Sequence, residues 1–214
     1  MSKVRVHAFS LSIDGYGAGP NQDLQNPLGV GGFGLHTWMT ETQTFHEMFG
    51  KDGGTTGIDD EFAKRSFENI GAEILGRNMF GPIRGPWPDH EWKGWWGPNP
   101  PFHCDVFVLT HHARPSEKME GGTTFHFVAD GFRAALEQAK AAANGKDVRI
   151  GGGAETIRQY LQAGLIDEMH LAISPVLLGS GEHLLSGIDL PKLGYEVREH
   201  VPTSQAMHLI ITKR

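Results

Sequence analysis

The stretch from Val148 to Leu161, reading VRIGGGAETIRQYL, constrains this chain more than any other. A short β-type run enters three consecutive glycines, and these open a segment whose Ile157, Tyr160 and Leu161 recur at helical spacing, with Gly164 placed to end it. The pattern is strand, glycine turn, helix. Such a junction bares backbone N–H groups at the positive end of a helix, and the missing side chains let a phosphate approach the main chain. Gly151 and Gly153 fit the first half of a G-x-G-x-x-G fingerprint, but Thr156 stands where the last glycine belongs. A tight strand-to-helix turn without a ligand would use the same residues.

The flanking segments set the class. Val4 to Leu11 reads as an opening strand that breaks at Asp14-Gly15, and residues 15 to 34 form a long loop rich in Gly, Pro and Asn. Leu35, Trp38, Thr42, Phe45 and Phe49 fall at steps of three and four and predict one helix. Asp59 and Asp60 are placed to cap a second helix carrying Phe62, Ser66, Phe67 and Ile70, ended by Gly71. Glu73 to Phe80 reads as a strand running into Gly76, Arg77 and Asn78. An anion could sit there on Arg77, although an arginine after a strand is also an ordinary surface residue.

Asp105 to Thr110 is an apolar strand ending in the polar Thr110-His111-His112, and Thr123 to Val128 gives another. Asp130 is expected to cap a helix from Phe132 to Ala143 that Asn144-Gly145 closes. After Met169 to Ile173 comes a glycine-flanked serine, Gly179-Ser180-Gly181, and the chain ends in two alternating runs suited to an antiparallel hairpin. Strands alternating with helices predict an α/β fold, with a mainly parallel central sheet, helices on both faces and an antiparallel C-terminal hairpin.

Residues 81 to 104 form no regular pattern and hold Trp87, Trp92, Trp95 and Trp96 among Gly and Pro. Such a loop can close over a flat ligand, pack on the core or meet a second subunit. At 214 residues one domain is expected, and a net charge of -6 offers no basic face for nucleic acid. The single cysteine, Cys104, and a first segment without an apolar core fit a cytoplasmic protein, and no apolar run approaches membrane-spanning length. Cys104 with scattered histidines makes no recognisable zinc pattern, so no metal is expected. The partner expected is a small-molecule substrate.

Four motifs, in order, resemble the dihydrofolate reductase-like superfamily, and most of all the reductase domain of riboflavin-biosynthesis deaminase–reductases and its free-standing relatives. They are Ser12-Ile13-Asp14-Gly15, Ile74-Leu75-Gly76-Arg77-Asn78-Met79, Gly151 to Thr156, and Gly164-Leu165-Ile166-Asp167-Glu168 leading to Pro175 through Gly181. The resemblance implies a hydride-transfer enzyme using NADPH. By motif match, Gly151, Gly152, Gly153, Ala154, Glu155 and Thr156 would cradle the pyrophosphate, and Gly76, Arg77, Asn78 and Met79 would meet the phosphates. Thr110, His111 and His112 would flank the adenosine end, while Ala8, Gly179 and Gly181 would border the nicotinamide. A homodimer is expected.

The substrate is less constrained. Folate reductases carry an acid at the start of the helix after the active-site loop, whereas here the first acid is Glu41. Riboflavin-pathway reductases hold a ribose phosphate, for which this region offers Arg84 and Lys93. The leading expectation is an NADPH-dependent reductase of a pterin- or pyrimidinone-like heterocycle or a carbonyl compound. Asp14 or an ordered water would supply the proton, and Trp38 and Trp96 are candidate substrate contacts. The alternatives are dihydrofolate reductase activity and a non-catalytic NADP-binding sensor.

Overall fold

Short runs rich in Val, Ile, Leu and Phe cannot bury both faces alone, so they pair into one sheet with helices and loops laid on either side. The computed structural model describes residues 2–81 and 84–214. Its strands are β1 (Val4–Leu11), β2 (Ile70–Gly76), β3 (Asp105–Leu109), β4 (Glu117–Lys118), β5 (Thr124–Val128), β6 (Asp147–Gly152), β7 (Glu168–Ile173), β8 (Tyr195–Pro202) and β9 (Met207–Lys213). Among the described residues they form a nine-stranded sheet in the order β4-β5-β3-β2-β6-β1-β7-β9-β8. The six strands from β5 to β7 are parallel, and β4, β9 and the β8–β9 hairpin add antiparallel pairs at the margins. The helices are α1 (Thr37–Thr40), α2 (Gln43–Met48), α3 (Ile58–Arg65), α4 (Arg77–Phe80), α5 (Phe132–Ala142) and α6 (Ala154–Gln162). No helix among the described residues is long and apolar enough to cross a membrane.

Three helix boundaries differ from the sequence expectation. The single helix through Leu35 and Phe49 is three pieces, a 3-10 turn at Gly32–His36 followed by α1 and α2. Thr42 breaks it. Its backbone is extended and its hydroxyl accepts the Phe45 N–H as the cap of α2, a role that competes with staying inside a helix. The next helix stops at Arg65 rather than Gly71, because Asn69 turns left-handed and Ile70 already belongs to β2. Gly131, not Asp130, caps α5, and no side chain bonds there.

Strand alternation sorts the side chains onto two faces. Val4, Val6, Ile74, Phe107, Val148 and Ile150 point into the large core beneath α5 and α6. The opposite face is covered in two separate places. Over β7 and β9 lies a small cluster of Trp38, Phe62, Ala63, Ala172 and Ile210, and over β2, β3 and β5 lies an aromatic cluster of Phe80, Val106, Val108 and Phe125. Between them the register aligns a polar row across four strands: Glu73, Arg149, Arg5 and Glu168.

The outer end of this row is an acid latch. Glu168 Oε1 lies 3.0 Å from His7 Nε2, and Lys3 Nζ lies 3.4 Å from its other oxygen. The His7 hydrogen bond, with the charge of Lys3 behind it, holds the Glu168 carboxyl down to about 2, from an ordinary 4.5. Because the folded value is depressed, this contribution is complete above about pH 4.5 and is lost as pH falls toward about 2. Melting temperature measured across that window should fall less steeply in Glu168→Gln than in the parent. Identical slopes would show that the latch contributes nothing.

Candidate active site

The cleft begins where two neighbouring strands stop pairing. β1 and β6 are matched only at Val4 with Val148 and Arg5 with Arg149. Beyond that point β1 kinks. Ala8 adopts a left-handed φ of 53°, its register against β7 shifts between Val6 and Phe9, and its N–H donates to His170 Nδ1 at 3.1 Å. A cavity of about 930 Å³ opens at this parting and runs from Thr110 and His111 past Gly153 to Ala8 and Glu73. Crevices at the carboxyl ends of parallel strands are the usual ligand sites of such sheets.

One half suits an anion. The glycines of the turn have separate reasons. At Gly151 a Cβ would collide with Glu73 Oε1, and at Gly76 with the Thr156 hydroxyl, so a side chain at either position would displace its neighbour. Gly152 has a φ of 130°, which side chains rarely adopt. Gly153 differs, because its φ is -73° and a Cβ there would meet nothing within 4 Å. It faces the open cleft. Gly153 also caps α6 with no side-chain hydrogen bond, and Ala154, Glu155 and Thr156 of the first turn line the cavity.

Beside this turn stands Arg77. Its guanidinium lies 3.6 Å over the Trp87 ring and Nη1 donates to Thr110 Oγ1 at 3.3 Å, while Nε and Nη2 are buried without a partner among the described residues. Burial, and then the charges of Arg84 and Arg114, push its pKa down from the ordinary range, as expected for a cation lacking a counterion. Asn78, Met79, Thr110, His111 and His112 line the same stretch. Arg114 does not join them. It is buried against Phe127 and Trp87 and donates to the His90 carbonyl at 2.9 Å.

The other half has apolar walls and a polar floor. Phe33 comes from the long loop, Met39 and Phe45 from the broken helix, and Trp95 and Trp96 from the tryptophan loop. The floor is His7, Glu73 and Arg149. Arg149 donates to one Glu73 oxygen from Nε at 3.0 Å and Nη2 at 2.7 Å, and to the Ser66 carbonyl at 3.1 Å. The other Glu73 oxygen is buried and unpartnered, as are His7 Nδ1 and His36 Nε2 on the same cavity. Burial pushes the Glu73 carboxyl up against the opposing pull of Arg149, and it lowers His36 to about 4 and His7 below its ordinary value. Both imidazoles are therefore neutral near pH 7. Since His7 Nε2 donates to the ionised Glu168, its Nδ1 is a bare acceptor.

The cavity thus gathers Ala8, Gly76, Gly151 and Trp96 with the residues above. Gly152 only supports the turn, with Phe9 and Met79 against it. Asp14 stands elsewhere. It accepts N–H bonds from Gly179 at 2.7 Å and Leu178 at 3.2 Å, bracing that loop. The Ser12 hydroxyl, and then these N–H groups, hold it at about 2, so near neutrality it has no proton to give. Gly179 and Gly181 belong to the braced loop, where Gly181 packs on the backbone of Ala18 and Gly19, and Glu182 reaches the cleft instead. Trp38 is core, 1% exposed, with its Nε1 donating to Ser10 Oγ at 2.9 Å. The tryptophan loop has two roles. Trp87 and Trp92 are tied down by bonds to the carbonyls of His112 and Phe80, whereas Trp95 and Trp96 also face the cleft. Glu73 and Arg149 carry no motif. Their only sequence signal is a charge of opposite sign inside each of two apolar strands.

Comparison with known proteins agrees with this architecture. A Shewanella sp. PV-4 protein named for riboflavin biosynthesis superposes with a TM-score of 0.59 at 20% identity, covering 100% of this chain and 99% of that one. The Thermotoga maritima diaminohydroxyphosphoribosylaminopyrimidine deaminase/5-amino-6-(5-phosphoribosylamino)uracil reductase superposes with a TM-score of 0.53 at 12% identity, covering 100% of this chain but 57% of that protein. In sequence, the Bacillus subtilis (strain 168) uncharacterized protein YyaP is 48% identical over 40 residues, which is 19% of this chain and 21% of YyaP. The mainly parallel α/β sheet with an antiparallel C-terminal hairpin is the fold expected. With the family model of the RibD C-terminal domain matching residues 3–209, the chain belongs to the RibD C-terminal domain family.

Proposed function

We propose that this chain is a reductase that binds NADPH and reduces a small, flat substrate held between the apolar walls of the cleft. The observation that carries this reading is the continuity of one cavity from Thr110 and His111, past Gly153, to Ala8 and Glu73. An extended dinucleotide needs N–H donors for its pyrophosphate, a cation for a ribose phosphate and a slot for a flat ring. The bare first turn of α6 suits the first need, and the unpartnered Nε and Nη2 of Arg77 suit the second. The kinked β1 beside Ala8 suits the third. Membership of the RibD C-terminal domain family supports the same chemistry.

NADPH supplies a hydride when bound, and the chain's own groups do the rest. The apolar walls exclude water. Glu73 keeps a proton to higher pH than an exposed glutamate, and it lines the cavity with one oxygen unpartnered, so we assign it the proton that follows hydride addition. His7 Nδ1 accepts a hydrogen bond from the substrate. Among the described residues of this half, Arg149 already directs its donors to Glu73 and the Ser66 carbonyl, and Arg84 is exposed at the rim. An uncharged pterin-, pyrimidinone- or carbonyl-type compound therefore fits better than a phosphoribosyl one.

Two substitutions test the cofactor half. Gly153→Ala keeps an allowed backbone conformation and projects a methyl into the cleft, so NADPH affinity should fall at least about tenfold while far-UV circular dichroism stays as in the parent. Retained affinity in the folded variant would remove the turn from the site. Arg77→Ala should weaken NADPH far more than NADH, by about 1.5 to 3 kcal/mol for a charge-assisted contact. Equal dissociation constants for the two cofactors in the parent, measured by fluorescence titration, would show that Arg77 reads no phosphate. Oxidation of NADPH against a panel of pterins, pyrimidinones and quinones then separates an enzyme from a protein that only binds the cofactor.

A further inference from the structure

Beneath the cleft, a single hydrogen-bonded chain runs from the near-surface start of α3 to the kink in β1. Ala8 N–H donates to His170 Nδ1 at 3.1 Å, His170 Nε2 lies 2.9 Å from His208 Nδ1, and His208 Nε2 lies 2.8 Å from Asp59 Oδ1. One end fixes the direction of every bond. A backbone N–H can only donate, so His170 Nδ1 is bare and its proton sits on Nε2, which makes His208 Nδ1 the next acceptor and sends the His208 proton to Asp59. Both imidazoles are 0% exposed, and Phe62 stacks on both, at 4.7 and 4.2 Å between centroids. Trp38 meets both rings edge-on. Neither ring can turn without leaving this slot. Asp59, 19% exposed, is braced in turn by Thr203 Oγ1 at 2.9 Å.

The chain ends on Ala8, whose left-handed backbone marks the parting at which the cleft opens. A left-handed φ is costly for alanine, and a buried N–H without an acceptor is costlier still. Straightened, β1 would return that N–H to a neighbouring strand and continue alongside β6, closing the parting. We propose that Asp59, His208 and His170 are positioning residues that pin the Ala8 peptide away from β6 and so hold open the end of the cleft that takes the nicotinamide ring. This rests on the nucleotide reading given above. The two imidazoles act as neutral hydrogen-bond partners, since burial lowers both below their ordinary range.

The test compares two ligands that share the adenosine half. NADPH reaches the kink, whereas adenosine 2′,5′-bisphosphate does not. His208→Gln and Asp59→Ala are expected to raise the dissociation constant of NADPH about tenfold and leave that of the bisphosphate unchanged, as loss of one bond that orders the far end of the site would do. Asp59→Asn keeps an acceptor for His208 and should behave as the parent, which a role for the charge would not allow. Long-range proton–nitrogen spectra of the parent imidazoles should show both rings protonated at Nε2, and the Ala8 amide should shift in Asp59→Ala. Unchanged NADPH affinity in folded variants, or equal losses for both ligands, would overturn the proposal. If His208→Gln does not fold, the two Asp59 variants decide. A parent that binds neither ligand would remove the nucleotide reading alone, and an Ala8 amide that does not move would then overturn the pinning itself.

Discussion

The constraint on which the rest depends is the early end of the ladder between β1 and β6. Two parallel strands at the centre of a sheet normally pair along their whole length, because each buried N–H and C=O needs a partner. Here the pairing stops after Arg5 and Arg149, and β1 bends at Ala8. The Ala8 N–H, displaced where the register against β7 shifts, goes to the His170 side chain. On the far side of the parting, β6 runs into glycines, whose lack of side chains lets β2, β6 and α6 approach closely while the turn itself stays open. The cleft is thus a consequence of backbone hydrogen bonding more than of side-chain shape.

The same parting explains the unequal faces of the sheet. One face carries a continuous core under α5 and α6. The other is closed at two separate places, and the polar row from Glu73 to Glu168 crosses the gap between them. A buried ion pair such as Glu73 with Arg149 gives back in attraction what it loses in desolvation and is weak evidence for stability. Its geometry is one-sided: Arg149 satisfies one carboxylate oxygen and leaves the other buried without a partner among the described residues. Burying that oxygen without a partner costs free energy, which a ligand donor would recover.

The aromatic loop shows how one segment serves both packing and recognition. Trp87 lies under Arg77 and is tied to the His112 carbonyl, so the cation is held flat on a ring with two donors to spare. Trp92 is tied to the Phe80 carbonyl beside it. With these anchored, Trp95 and Trp96 form a wall of the cleft instead of a mobile flap. The long loop after β1 acts likewise, since Gly17 donates to the Glu182 carbonyl and Glu182 to that of Ala18, while Phe33 reaches the cavity.

Local signals in the sequence determined much of this. Apolar runs, alternating at the first strand and the C-terminal hairpin and continuous at Asp105 to Thr110, marked the strands, the glycine turn marked the start of α6, and Asn144-Gly145 marked the end of α5, since each depends on residues adjacent in the chain. The polar half of the cavity was legible for the same reason: Gly76 to Met79, Thr110 to His112 and, Gly152 apart, Gly151 to Thr156 are contiguous stretches at strand ends that line it. Tertiary structure alone decided the rest. Thr42 could continue a helix or cap a new one, and only the packing of α2 against α3, through Asp60 and Thr44, selects the cap. Asp14-Gly15 was equally suited to a turn or a catalytic role until the 178–179 backbone came to meet it. Glu73 with Arg149, and Asp59 with His208 and His170, are drawn from strands and helices 38 to 149 positions apart. No short-range pattern can mark such groups, because their neighbours exist only once the sheet has formed.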